Sequence, residues 1–289
     1  RLATRPAAGQ RQDTPATDCV GALAMASGTL AGGATAGGVG AEGGGNAALA
    51  GVCDVITATS DANLAMAGPA MIEGGGLGVV APEDIGPVDV QTANGVIDVL
   101  VDDDAAAVAA VKHYLSFFQG PIDGWECGDQ EQLRSIGPEN RKRANDVREV
   151  IGILSDTGTP LELRPTYGVG IITALTRIEG RPVGIVANNP LHLGGAIDAA
   201  GADKASRFLQ LCDGHGIPIL FLCDTPGFMV GPEAEEQAQV RRFGRMFVVG
   251  ASLTVPFATV VLRKAVGLGA QAMAGGSFHA PLMTVAWPT

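Results

Sequence analysis

Arg263-Lys264-Ala265-Val266-Gly267-Leu268-Gly269-Ala270-Gln271-Ala272-Met273 decides how this chain is read. It follows the apolar run Val255 to Leu262, which predicts a buried strand, and it leads into small residues that predict the first turn of a helix. A strand that ends in glycines and enters a helix leaves backbone N–H groups without partners at the helix N-terminus. Those donors lie at the positive end of the helix dipole. They suit an anion, or a carbonyl oxygen that becomes one during a reaction. Glycine lets a substrate approach the backbone closely.

A second stretch of the same kind lies upstream. Gly43-Gly44-Gly45-Asn46-Ala47-Ala48-Leu49-Ala50-Gly51 also opens a small-residue helix. Each copy runs on into an apolar strand and a proline: Val55-Ile56-Thr57-Ala58 with Gly68-Pro69, and Leu282-Met283-Thr284-Val285 with Trp287-Pro288. The pattern predicts two related halves with two oxyanion sites. The alternative reading of both stretches is a tight turn that holds packed helices.

The 289 residues are enough for a sizeable core in one large or two ordinary domains. With 46% hydrophobic and 17% charged residues the chain is globular. Its 42 glycines are twice the typical share of ~7%. Aromatic residues make up only 4%, so small side chains dominate the core. A net charge of −11 argues against a nucleic-acid binder, which needs a basic face. Local basic clusters remain at Arg141-Lys142-Arg143 and at Arg241-Arg242 with Arg245, each readable as a solvated helix face. Cys19, Cys53, Cys127, Cys212 and Cys223 form no CxxC pair, and only Cys212, with His215, has a nearby histidine. No metal site is expected, and a reduced, cytoplasmic protein is. The first 25 residues contain no long apolar core of a signal peptide, and Val248 to Leu262 is too short to span a bilayer. A start at Arg1 rather than Met suggests a trimmed piece of a longer protein.

Along the chain, residues 1–40 are rich in Ala, Gly and Thr and read as a flexible segment. Residues 46–60 read as a helix and then a strand. Ala67 to Gly78, with Gly74-Gly75-Gly76, reads as a loop beside a site, and no GxxxxGK[ST] makes it a nucleotide loop. Gly95 to Val101 predicts a strand, and Asp102-Asp103-Asp104 starts a helix to about Phe118. Gly120 to Asn140 has no periodicity and serves as a linker, and Asp146 to Leu154 is a helix. Gly170–Ile178 and Pro182–Ala187 are strands joined by a Glu179-Gly180 hairpin turn. Asp203 starts a helix to about Asp213, Ile217–Cys223 is a strand, and Glu233–Gly250 is one helix. Strands alternating with helices predict an α/β fold.

From Gly45 onward these residues resemble the carboxyltransferase (β) component of biotin-dependent acyl-CoA carboxylases, in the crotonase-like superfamily. The segments that carry the resemblance are Gly180 to Pro190, Asp203-Lys204-Ala205 through Cys212-Asp213, Ile217-Pro218, Asp224 to Phe228, Arg263-Lys264 with its glycines, and Ala286 to Thr289. The resemblance implies repeated ββα units in two related domains, residues 41–124 and 125–289. It implies that Gly44 and Gly45 hold the thioester oxygen as an acyl-CoA becomes an enolate. Gly267, Leu268 and Gly269 would hold the ureido oxygen of carboxybiotin, whose nitrogen removes the α-proton. Asn46, Gly74, Gly75, Asn188, Asn189, Phe228, Ala270 and Gln271 would surround the substrate.

The implied reaction is carboxyl transfer from carboxybiotin to a short acyl-CoA such as acetyl-, propionyl- or methylcrotonyl-CoA. No side-chain base is needed, only placed donors. The chain has no Met-Lys biotinylation motif, so biotin is expected on a biotin carboxylase or carboxyl carrier partner. Family members form hexamers with active sites between subunits. The alternatives are a crotonase-type decarboxylase or hydrolase that ignores biotin, and a non-catalytic truncated subunit. His113, His192, His215 and His279 are scattered, and His192 is the best site candidate among them. Glu73 and Asp224 are loop acids whose simpler reading is capping.

Overall fold

The computed structural model describes residues 23–26, 50–136 and 144–287, the first of these as backbone alone. Nine strands form two sheets among the described residues. In the first, β1 (Leu23–Ala26), β2 (Val55–Thr59) and β3 (Val99–Val101) lie parallel in the order β1-β2-β3. In the second, β4 (Leu161–Leu163), β5 (Ile171–Ile178), β6 (Arg181–Asn188), β7 (Ile219–Thr225), β8 (Phe257–Ala265) and β9 (Met283–Ala286) follow in chain order. β4, β5 and β6 pair antiparallel, and β6 to β9 are parallel.

The second sheet is covered on both faces, and the period-2 alternation of its strands shows why. Ile171, Leu175, Val186, Phe221 and Cys223 join one core cluster, with α5 (Ala199–Gly214) and α7 (Gln239–Ser252). Their neighbours Ile172, Ile185, Ala187 and Leu222 join another, against Val147, Val150 and Ile151 of α4 (Val147–Leu154). The β5–β6 turn has Glu179 at φ 51° and Gly180 at φ 74°, the backbone of a tight hairpin. Asp156, just past the end of α4, accepts the N–H groups of Glu179 and Gly180 at 2.9 and 2.7 Å.

Three helix starts follow acidic caps. Asp103 accepts from Ala106 N in α3 (Asp104–Ser116), and Asp146 from Arg148 N in α4. Four expectations are corrected. Ala67–Gly78 contains a helix, α1 (Pro69–Gly74), because Pro69 presets the first turn and Ala70-Met71-Ile72-Glu73 sustain it. Only the end of Gly95–Val101 is a strand, since Gly95 at φ 81° turns the chain out of α2 (Val88–Ala93). α5 starts four residues before Asp203, capped by Asp198 on Gly201 N at 2.7 Å. Glu233–Gly250 is two helices, α6 (Pro232–Glu236) and α7, broken where Ala238 is left-handed at φ 57°. Within the stretch read as flexible, Leu23–Ala26 pairs with Val55–Ala58 as β1. The Gly120–Asn140 linker carries a 3-10 turn, Gln130–Arg134, whose Leu133 is buried.

The two sheets meet at a buried charged joint. Asp98 accepts Ile56 N at 2.8 Å and Arg164 Nε at 2.7 Å. Lys204 of α5 donates Nζ to Arg164 O at 2.7 Å. All three side chains are buried, and Arg164 is held at φ 55°. Arg207 adds a bond from Nη2 to Cys53 O at 2.7 Å.

Candidate active site at the strand ends

Parallel strands that end side by side leave a crevice at their carboxyl ends, where α/β proteins place ligands. Here the ends of β6, β7 and β8 gather the Asn188–Gly195 segment, the Asp224–Phe228 loop and the turn into α8 (Gly267–Ala272). Val266 N donates to Thr225 O at 3.1 Å and closes the β8 end onto β7. Gly267 follows at φ 60°, where a side chain is strained. A Cβ there would meet nothing within 4 Å, so conformation rather than space calls for glycine. At Gly269 the reverse holds: a Cβ would lie 2.8 Å from Gly227 C and Cα. The first hydrogen bond of α8 runs from Ala270 N to Val266 O at 3.4 Å. The N–H groups of Gly267, Leu268 and Gly269 precede it and have no acceptor among the described residues. Val266, Gly267 and Leu268 are exposed.

The side chains around this turn are already engaged. Asn188, fully buried, accepts Asp224 N at 3.0 Å, and its Nδ2 has no partner among the described residues. Asn189 donates Nδ2 to Val169 O at 2.9 Å and accepts Leu191 N at 3.2 Å. Asp224 pairs with Arg263 Nε at 3.0 Å, and Lys264 Nζ donates to Gly194 O at 2.7 Å. Thr225 Oγ1 accepts Gly227 N at 3.1 Å. Phe228 lies 4.9 Å from the Phe243 ring and 6.2 Å from Phe247, which anchors the loop on α7. His192 faces Asp198, the α5 cap, at 3.2 Å. Burial pushes the Cys223 thiol up to about 12, and its Sγ lies 3.6 Å from Lys264 O. That thiol is no nucleophile at neutral pH. The cluster can therefore stabilise a developing oxyanion with neutral backbone donors, but it holds no nucleophile–base pair.

The carboxyl transferase domain model matches residues 37–289. The chain belongs to the carboxyl transferase family. Among its relatives is the biotin-dependent long chain acyl-coenzyme A carboxylase beta4 subunit of Mycobacterium tuberculosis, 36% identical over 73% of this chain and 42% of that protein. A solved single-chain, multi-domain long-chain acyl-CoA carboxylase is 58% identical with a TM-score of 0.83, over 92% of this chain and 25% of that one. The transcarboxylase 12S structure, a hexamer with methylmalonyl-CoA bound, is 33% identical with a TM-score of 0.75, over 84% of this chain and 48% of that one. The chain thus spans half or less of the length of each of these proteins. The fold of this chain is the crotonase-like α/β fold of its relatives.

Of the residues expected at the site, Gly267, Leu268, Gly269, Asn188, Asn189 and Phe228 come together at the strand ends. Ala270 and Gln271 sit on α8, the first buried and the second exposed. Gly74 and Gly75 lie elsewhere, exposed at the end of α1, where Gly75 N donates to Met71 O at 3.0 Å. Gly44, Gly45 and Asn46 are outside the described residues. Asn188 and Asn189 are buried loop anchors, and Phe228, half-buried, packs on Phe243 and Phe247 of α7. Sequence reasoning missed the Asp224–Arg263 pair and the 3-10 turn Leu193–Gly195. The signal for the turn was the Gly194-Gly195 pair, both glycines at positive φ. Among the described residues no group of three or more His, Cys, Asp or Glu side chains gathers for a metal, and no helix is long and apolar enough to cross a membrane.

Proposed function

We propose that this chain is a carboxyltransferase region of a biotin-dependent acyl-CoA carboxylase, moving a carboxyl group between carboxybiotin and the α-carbon of an acyl-CoA. The observation that carries the reading is the Gly267–Gly269 turn, exposed at Gly267 and Leu268, whose N–H donors have no acceptor among the described residues and meet no competing side-chain chemistry, in a chain of the carboxyl transferase family. The residues fit the group: the donors are neutral, and the space beside Gly267 is free. Carboxybiotin, when bound, supplies the carboxyl group and a ring nitrogen able to take the α-proton. Gly267, Leu268 and Gly269 would hold its ureido oxygen through backbone N–H groups. On the acyl-CoA side, Gly44 and Gly45 would hold the thioester oxygen, with Asn46, Gly74 and Gly75 assigned to the same substrate. Asn188, Asn189 and Phe228 keep the strand-end loops in register, and Ala270 and Gln271 border the acyl group. Preorganised donors of this kind are each worth about 10²–10³ in rate.

Biotin reaches the site on a carboxylase or carrier partner, and a second copy of the chain supplies the facing half, as in a hexameric, cytoplasmic enzyme. Residues 41–124 and 125–289 are the two related domains. Relatives named for long-chain acyl-CoA stand beside one with methylmalonyl-CoA bound. The acyl group is therefore tested across lengths. Malonyl-CoA, methylmalonyl-CoA and a long-chain 2-carboxyacyl-CoA are each incubated with the chain, with and without free biotin, and loss of the carboxylate is followed. Biotin-stimulated loss is expected. Loss indifferent to biotin would instead make the chain a decarboxylase.

A further inference from the structure

The β7–β8 pairing breaks register just before the glycine turn. Five residues pair in step, from Ile219 with Phe257 to Cys223 with Val261, and the next pair is Thr225 with Ala265. β7 advances two residues there while β8 advances four, so β8 carries two extra residues in a bulge. A strand residue rises about 3.3 Å, so the bulge draws the following turn back along the sheet by about 6–7 Å. In an unbulged strand, Val266 would lie past Thr225 instead of bonding to its carbonyl.

One residue of β7, Asp224, faces the bulge, and it is held from three sides. Its N–H goes to Asn188 Oδ1 at 3.0 Å. Its carbonyl packs on Gly195, where a Cβ would sit 2.1 Å away. Its carboxylate takes Arg263 Nε from within the bulge at 3.0 and 3.3 Å. The carboxylate is 1% exposed and the arginine 17%, so solvent screens the pair little. The next bulge residue, Lys264, ties to Gly194 O on the other side.

We infer that the Asp224–Arg263 pair is a positioning device: it fixes the β8 bulge and so sets where the Gly267–Gly269 donors stand. The role in turnover rests on the carboxyl-transfer reading; the effect on the turn does not. Asp224→Asn and Arg263→Lys, each near in shape to the native residue, test it in the full chain by two measurements. Hydrogen exchange is expected to quicken at least ten-fold at Val266 and Ala270, whose N–H groups bond Thr225 O and Val266 O, and to stay unchanged in the β5–β6 hairpin. Biotin-stimulated turnover is expected to fall at least ten-fold, with the KM for the acyl-CoA held and the KM for free biotin raised. Exchange and kinetics at wild-type levels in both variants would overturn the inference. So would exchange that quickens equally over the whole domain, which marks an ordinary stabilising pair. A wild-type chain without biotin-stimulated turnover would contradict the proposed function, while the exchange pattern still decides the tie.

Discussion

The joint between the sheets and the turn at the strand ends are opposite solutions to placing polar groups. The joint buries three charged side chains, Asp98, Arg164 and Lys204, and every link in it is a hydrogen bond within the chain. The turn leaves the uncharged N–H groups of Gly267, Leu268 and Gly269 without acceptors among the described residues, with Gly267 and Leu268 exposed and Gly269 buried. Burial pushes Lys204 down to about 7, the kind of displacement that usually marks a reacting group. Here that displacement marks the joint. A site made of backbone donors has nothing to titrate, so a search by perturbed ionisation passes over it.

Separate roles for the two regions can be broken by substitution. Asp98→Ala leaves Arg164 charged and buried without its partner, and a loss of about 3–5 kcal/mol in urea unfolding is expected. Turnover per folded molecule should hold; a matching fall in turnover would merge the two regions. Gly269→Ala forces a Cβ against Gly227, and biotin-stimulated kcat should fall by about 10²–10³ with only a modest drop in unfolding midpoint. An active Gly269→Ala variant would remove the turn from catalysis.

Lys204 sharpens the contrast through pH. Between about 7 and its ordinary 10.5, the unfolded chain holds a proton on Lys204 that the folded chain lacks. Stability therefore rises with pH across that window, and below it the cost of burying the charge is constant and largest. Relative to Lys204→Met, the native chain should gain about 2 kcal/mol between pH 7 and 9, at about 1.4 kcal/mol per unit. An unchanged difference would mean that Lys204 is not desolvated.

What the sequence disclosed follows from how local each feature is. The β5–β6 hairpin was legible because two strand-forming runs flank Glu179-Gly180, and the α3 and α4 starts because an acidic cap sits beside each. The strand–glycine–helix turn was legible for the same reason. The joint was not, because its members lie 66 and 40 residues apart and nothing local pairs them. The α6–α7 break rests on a left-handed Ala238, a conformation that alanine does not advertise. α1 was hidden by its own glycines, and β1 by the small-residue composition around it. At the site, the asparagines and Phe228 were found, but as loop anchors; the Asp224–Arg263 tie needed the register of two strands to become visible.

The most direct test of backbone-donor catalysis reads the donors themselves. With ¹⁵N-labelled chain, free biotin is titrated and the amide resonances of Gly267, Leu268 and Gly269 are followed. The account predicts saturable downfield shifts at these three amides, with Asp98, Arg164 and Lys204 unmoved. Biotin that shifts residues elsewhere, or leaves these three unchanged at saturation, would contradict it.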